Sequence, residues 1–339
     1  MSVRVLVLTG LVTATVGAGF WLNSGGHDSA RSLTGSNATV QANAQQLLLE
    51  GLAPQALNID QIRIENAAGT LFSARREGER WLATHLDTQR TFPVDIAPLS
   101  DLVSELSEAH ILEYKTRKPE NYARLGVESL AQDDAQSVKI SLSAGDSEWQ
   151  VLLGNVASNG LGNYARLPDS AVSCLLDGVI TVPDSASDWL QQEVLPFTAP
   201  DIDSVLFQNQ GGSFTIKRSD DGEEGWQLEP IDQEQTLVYP GVLEQTVSDL
   251  VEFRYQRVTP FADSEWDNAE PHSAVTFSLK DGSKVFGHLS NADESGSFRI
   301  WFNTPDSGHW VSDWVFLLSD FQAQPFRKAL DDLVEKPEQ

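Results

Sequence analysis

A series of short motifs occurs twice along this chain, in the same order, and it restricts the fold to a doubled architecture. The tetrapeptide SDLV stands at 100–103 and again at 248–251. One shared tetrapeptide is within reach of chance, so the weight rests on its neighbours. Asn58-Ile59-Asp60-Gln61-Ile62 resembles Asp201-Ile202-Asp203-Ser204-Val205. Each opens a period-two apolar pattern of the kind a half-buried strand requires. Small-residue turns follow, NAAG in one copy and NQGG in the other, then the alternating segments LFSARR and SFTIKRS. The charged turns REGER and DDGEEG lead into Trp81 and Trp226. A three-stranded meander with one tryptophan at a matching place is expected in each copy.

The two SDLV segments lie in stretches of helical periodicity. Ile96, Leu99, Leu102, Val103 and Leu106 form one apolar stripe, and Val242, Leu243, Val247, Leu250 and Val251 its counterpart. Pro93 and Pro240 precede these helices, where proline is tolerated. Extended segments, HILEYKT and FRYQRVTPF, come next, followed by hairpins turning at Gly145 and Gly282. Pro-Asp-Ser turns at Pro168 and Pro305 continue the series, and Ser187-Asp188-Trp189 pairs with Ser319-Asp320-Phe321. Collinear matches with small insertions and deletions are what a diverged tandem repeat leaves. The expected fold class is α+β: two tandem, diverged copies of an antiparallel-sheet-plus-helix module, spanning 57–196 and 197–335. Whether the two sheets merge or pair about a pseudo-two-fold axis stays open. The last segment, FQAQPFRKALDDLVEK, carries a stripe of Phe326, Leu330, Leu333 and Val334, which predicts a helix that covers a sheet edge or docks on a partner.

Ahead of the first copy, Val5 to Leu22 are 18 consecutive uncharged residues. As a helix they span about 27 Å, enough for a bilayer core. Arg4 before them favours a cytoplasmic N-terminus, and Trp21 suits the far interface. Residues 1–22 are therefore expected to be a single transmembrane anchor after which the fold begins; a cleaved signal peptide is the alternative. No clean small-residue cleavage site follows, and no cysteine that a lipid anchor would need. Residues 23–45, rich in Gly, Ser, Asn and Thr at their start, form a flexible tether. The expected location is a bacterial inner membrane, single-pass, with the bulk of the chain in the periplasm.

Charge narrows the partners. The chain has 23 Lys and Arg against 49 Asp and Glu, a net −26. Such a surface repels nucleic-acid phosphate and anionic headgroups, so contact with membrane is expected through the N-terminal helix only. Cys174 is the one cysteine and stands in the apolar run VSCLL, as a buried structural thiol does. Histidines lack ligand spacing: His272, His288 and His309 fall on separate predicted segments. The acidic turn Asp220-Asp221-Gly222-Glu223-Glu224 lacks the register of a calcium loop. Signatures of nucleophile elbows, zinc proteases, phosphate loops and dinucleotide folds are missing from the sequence. No catalytic residue, cofactor or metal is assigned on this basis.

Several motifs together carry a resemblance to a known family. They are Trp81, Phe92-Pro93-Val94-Asp95, EYKTRKPENYARLGVES at 113–129, LLGN at 152–155, NYAR at 163–166, Asp188-Trp189-Leu190 and Asp201-Ile202-Asp203. In these the chain resembles the domain-of-unknown-function 4340 family, over roughly 57–205 well and over the second module more weakly. The resemblance implies a membrane-anchored extracytoplasmic protein associated with gliding-motility-type ABC transporter components, so inner-membrane ABC transporter subunits are the implied partners. It supplies no catalytic residues.

Within the most family-like stretch, Lys115, Arg117, Lys118 and Arg124 are four basic residues close together in an acidic chain. With Tyr122 they form a candidate partner contact, since arginine clamps carboxylates bidentately. The structural alternative is a short helix begun by Pro119, packed through Tyr122 and Leu125, and capped by Gly126. The second module replaces this stretch with ADSEWDNAEPHS. Of nine tryptophans, Trp266, Trp301, Trp310 and Trp314 lie late and are expected in the second core, or on a binding face if exposed together. The functional expectation is a non-enzymatic accessory or scaffold component of an ABC-type transport system. The alternative is a periplasmic peptide- or glycan-binding module that uses the cleft between the modules.

Overall fold

The computed structural model describes residues 46–219, 225–231, 235–262, 271–305 and 307–335. The expected anchor at 1–22, the tether at 23–45, the acidic turn at 220–224, Trp266 and most of ADSEWDNAEPHS lie outside the described residues. No helix among the described residues is long and apolar enough to cross a membrane.

The first half opens with β1 (Gln46–Leu47), a buried Leu48-Leu49 pair and a 3-10 turn. The expected meander follows as β2 (Gln61–Asn66), β3 (Gly69–Glu77) and β4 (Arg80–Ala83). Its alternation turns Ile62, Ile64, Phe72, Ala74, Trp81 and Ala83 to one buried face. Next come β5 (Phe92–Pro93) and α1 (Ile96–Glu108), whose first turn is capped by Asp95 accepting from the Ala97 amide at 3.0 Å. α1 lays Leu99, Leu102, Val103 and Leu106 on the sheet, while Ile96 at its start is 52 % exposed and drops out of the stripe. The half is completed by β6 (His110–Tyr114), α2 (Tyr122–Leu125), β7 (Val138–Ala144), β8 (Ser147–Val156), β9 (Asn163–Arg166) and β10 (Ser173–Leu176).

The second half contains β11 (Ile202–Asn209), β12 (Gly212–Arg218), β13 (Trp226–Glu229), α3 (Val242–Val251), β14 (Arg257–Pro260), β15 (Ser273–Leu279), β16 (Lys284–Leu289), β17 (Phe298–Asn303), β18 (Trp314–Leu318) and α4 (Asp320–Ala323). Two separate antiparallel sheets result, so the fold is α+β. The first runs β1-β6-β10-β9-β8-β7-β2-β3-β4-β5, and the second β13-β12-β11-β15-β16-β17-β18-β14. Read from the meander outward, β4 to β6 and β13 to β14 follow the same order. The likeness reaches side chains. Arg76 pairs across the ladder with Trp81 and donates to Leu57 O at 2.8 Å; Arg218 pairs with Trp226 and donates to Ala199 O at 3.0 Å.

Two expectations need correction. The pairing of Ser187-Asp188-Trp189 with Ser319-Asp320-Phe321 fails: Trp189 is fully buried and stacks on Phe72, whereas Phe321 is 78 % exposed. What matches instead is the strand bridge that closes each half, Val94 to Leu190 in one and Leu237 to Val334 in the other. The continuous C-terminal helix is also absent. α4 gives way to a 3-10 turn containing Pro325, which has no N–H to donate, and the chain leaves helical geometry at Lys328. Lys328 O accepts from Asn209 Nδ2 at 2.8 Å, and Phe326 O accepts from Ser273 Oγ at 2.8 Å. Phe326, Leu333 and Val334 are still buried against the second sheet, as their spacing predicted.

One hydrophobic cluster runs through both halves. At their contact the Phe92 ring meets Trp310, Trp314, Tyr255 and Phe316 at centroid distances of 4.9, 5.3, 6.1 and 6.3 Å. Around these rings, Tyr255 OH donates to Gln191 O, and Arg90 Nη1 donates to Phe261 O and Asp313 O. Of the late tryptophans, Trp314 is core and Trp310 packs on Phe92. Trp301 is half-buried, stacked between Phe261 and His288.

Candidate interaction surface at the end of the first sheet

β6 lies next to last in the first sheet, and β1 covers only part of it. The two pair at Gln46 with Ile111 and Leu47 with His110. Beyond Ile111, no described strand lies on that side of β6. A groove of about 740 Å³ opens there, with Gln46, Tyr114, Lys115, Arg117, Leu167 and Val172 among its walls. Leu112 and Tyr114 are 44 % and 56 % exposed, and Tyr114 OH donates to Gln46 Oε1 at 2.6 Å.

The predicted contact residues separate by role. Lys115 and Arg117 line the groove; Lys118 follows on the exposed turn and Arg124 stands exposed on α2. Lys115 Nζ pairs with Glu113 at 2.6 Å, whereas Arg117, Lys118 and Arg124 make no ion pair with any described residue. Tyr122 points inward. It is 7 % exposed, its hydroxyl donates to Ala171 O, and Arg166 lies over its ring at 4.7 Å. It supports the turn and presents nothing to a partner. The local helix is the one its sequence predicts: Pro119 begins the 3-10 turn, α2 follows, and Gly126 ends it at φ +68°.

Arg166 is the residue that sequence reading missed. It is 7 % exposed, and Nε donates to Val127 O at 2.9 Å. Nη1 reaches Leu167 O, Pro168 O and Ser170 O at 3.5, 3.3 and 3.1 Å. One guanidinium thus satisfies carbonyls of two loops that carbonyl chemistry would otherwise leave unpaired. Close by, Asn163 Nδ2 donates to Gly154 O at 2.9 Å and Asn163 Oδ1 accepts from the Ile180 amide at 2.9 Å. Gly154 passes against the α2 turn, where an added Cβ would stand 2.4 Å from Leu125 O. The motifs YARLGV, LLGN and NYAR therefore meet in space as one support beneath the basic turn. The signal available in the sequence was its place in NYAR, one of the motifs that carry the family resemblance.

The family described as Domain of unknown function (DUF4340) matches residues 81–274, more than half of the chain. The chain belongs to this family. The DUF4340 match begins at Trp81 in β4, takes in the basic turn and the Arg166 support, crosses the contact between the halves and ends in β15. No curated protein and no solved structure matches the chain.

Elsewhere in this DUF4340 chain the titratable groups are dispersed. No three His, Cys, Asp or Glu side chains among the described residues are grouped to hold a metal ion. His85, His288 and His309 stand apart, each with its pKa lowered by burial. Cys174, on the groove floor, is 3 % exposed, and burial pushes its thiol up to about 11, so it stays protonated and unreactive.

Proposed function

We propose that this DUF4340 protein is a membrane-tethered periplasmic accessory or scaffold component of an ABC-type transport system, acting by binding a partner. The transport context comes from the family resemblance. The observation that carries the binding reading is the exposed basic turn from Arg117 to Arg124, held beside a groove that Gln46 also lines. Gln46 is where the folded body takes over from the expected tether at 23–45. With residues 1–22 as anchor, tethering raises the effective concentration of the body for a membrane partner. The shared strand order supports reading the halves as diverged copies of one module, of which the first has kept or acquired the contact. The aromatic packing around Phe92 favours the accessory reading over a ligand held between the halves.

Co-purification from mild detergent tests this reading. Transporter subunits are expected to accompany the full chain, and the triple variant R117E/K118E/R124E should retain about tenfold less of them. A partner-free protein, wild type and variant alike, would overturn it.

A further inference from the structure

We propose that the outer face of the first sheet binds a saccharide chain that carries carboxylates, an activity independent of the partner-binding reading above.

The first reason is the shape of that face. Strand alternation sends one set of side chains to the core and the other outward. Over β3, β2 and β7 the outward set leaves a trough of about 520 Å³. One row crosses it, from Thr84 just past β4 through Ser73, Arg63 and Ser141 to Gln150 on β8. Serines thus stand on both sides of Arg63, and Ser143 lies beside Gln61. Strands favour β-branched and aromatic residues, and the second sheet follows that rule at the matching places, with Thr215, Thr276 and Phe286 in the row through Leu206. Leu206 stands where Arg63 does, between buried Val205 and Phe207 as Arg63 is between Ile62 and Ile64. The small side chains of the first copy therefore make the trough.

The second reason is what the trough offers a ligand. The Arg63 side chain is 56 % exposed, pairs only loosely with Glu65 at 3.7 Å, and makes no hydrogen bond with a described residue. Lys139 makes no ion pair with a described residue, and the side chains of Gln61, Ser141 and Ser143 make no hydrogen bond with one. Other charges here are engaged: Arg75 pairs with Glu77 at 2.6 Å, and Glu148 accepts from Gln150. Two uncommitted cations in a chain of net −26 select a negative group, and arginine clamps a carboxylate bidentately. The hydroxyls and amides around them suit a ligand that both donates and accepts. A peptide strand finds no ladder on this face, because β2, β3 and β7 are each paired on both sides. Lipid finds no seat, since none of the trough's lining residues is an exposed large hydrophobic. Glu65 and Glu148 in the walls repel a densely charged polyphosphate. A saccharide chain with scattered carboxylates meets all of these conditions.

The test uses the full chain in detergent and fluorescent oligosaccharides of galacturonate, with their methyl esters as the uncharged control. We expect saturable binding of the acid by anisotropy, and about tenfold weaker binding of the ester. R63A/K139A should weaken binding of the acid about tenfold. S141V/S143V fills the trough with residues that strands favour, so it should lose binding to a similar degree while keeping the wild-type urea midpoint. That variant decides the matter where R63A/K139A unfolds more easily. R117E/K118E, on the basic turn, should bind as wild type does. Absence of saturable binding across the millimolar range overturns the proposal, and so does equal affinity for the ester. Wild-type affinity in S141V/S143V moves the ligand off the trough and overturns the site. Loss in R117E/K118E alone does the same, because the basic turn then holds the saccharide. Each outcome stands apart from co-purification, which reads the partner contact and not this face.

Discussion

At the scale of single residues, His85 shows how burial sets a pH response. Its Nδ1 lies 3.2 Å from both the amide and the carbonyl of Ser73, its ring stands edge-on to Phe72, and Nε2 is buried with no partner. Burial disfavours the imidazolium, so the folded-state pKa falls below the ordinary 6.5; the Ser73 bond opposes this more weakly. Between the lowered value and 6.5 the unfolded chain binds more protons than the folded one, so stability is complete above 6.5 and is lost as pH falls through that window. Thermal unfolding followed from pH 7.5 to 5 (about the range a histidine titrates) should show a falling midpoint. H85F should flatten the curve, leaving the slope that His288 and His309 contribute in the same direction. Parallel curves for wild type and H85F would remove His85 from the account. The same scale separates the basic candidates. The charges of Arg117, Lys118 and Arg124 were readable as exposed, whereas Tyr122 could be read either as part of the contact or as packing with Leu125. The Arg166 guanidinium decides it by stacking on Tyr122.

At the scale of elements, the meanders and the two long helices were legible because each buries one face and its period appears directly in the sequence. β1 was not, since its two described residues carry no period; they pair where β6 offers a ladder. The C-terminal helix was expected from a period that the chain does not use. Pro325 and the hydrogen bonds taken by Lys328 O and Phe326 O outweigh local propensity. Close contacts between elements have no signature of this kind, and Gly154 is an example. Its expected cost can be checked by urea unfolding. G154A should destabilise by about 2 kcal/mol, because Leu125 O cannot retreat from the α2 turn without loosening Gly126. G178A, which meets nothing within 4 Å, should stay within about 0.5 kcal/mol of wild type. Equal effects would mean that the turn yields to the added methyl group. The candidate site depends on this packing, since the same turn carries Arg117 and Lys118.

At the scale of the whole molecule, the halves share one core across Phe92 and should not unfold separately. F92A removes a fully buried ring from among four aromatic neighbours, at a cost of roughly 3–5 kcal/mol. Calorimetry is expected to show a single transition for the folded body of the wild type and a lower one for F92A. Two resolved transitions in the wild type would mean that the halves are energetically independent. The amino-acid sequence determined the doubling, the α+β class, the meander-then-helix order and the basic turn, because period, turn residues and charge are local properties of the chain. The tertiary structure alone decided that the two sheets stay separate, that their halves share one core across Phe92, and that the motifs YARLGV, LLGN and NYAR converge on Arg166. Those outcomes depend on which surfaces meet across long sequence separations, and a linear pattern does not encode that geometry.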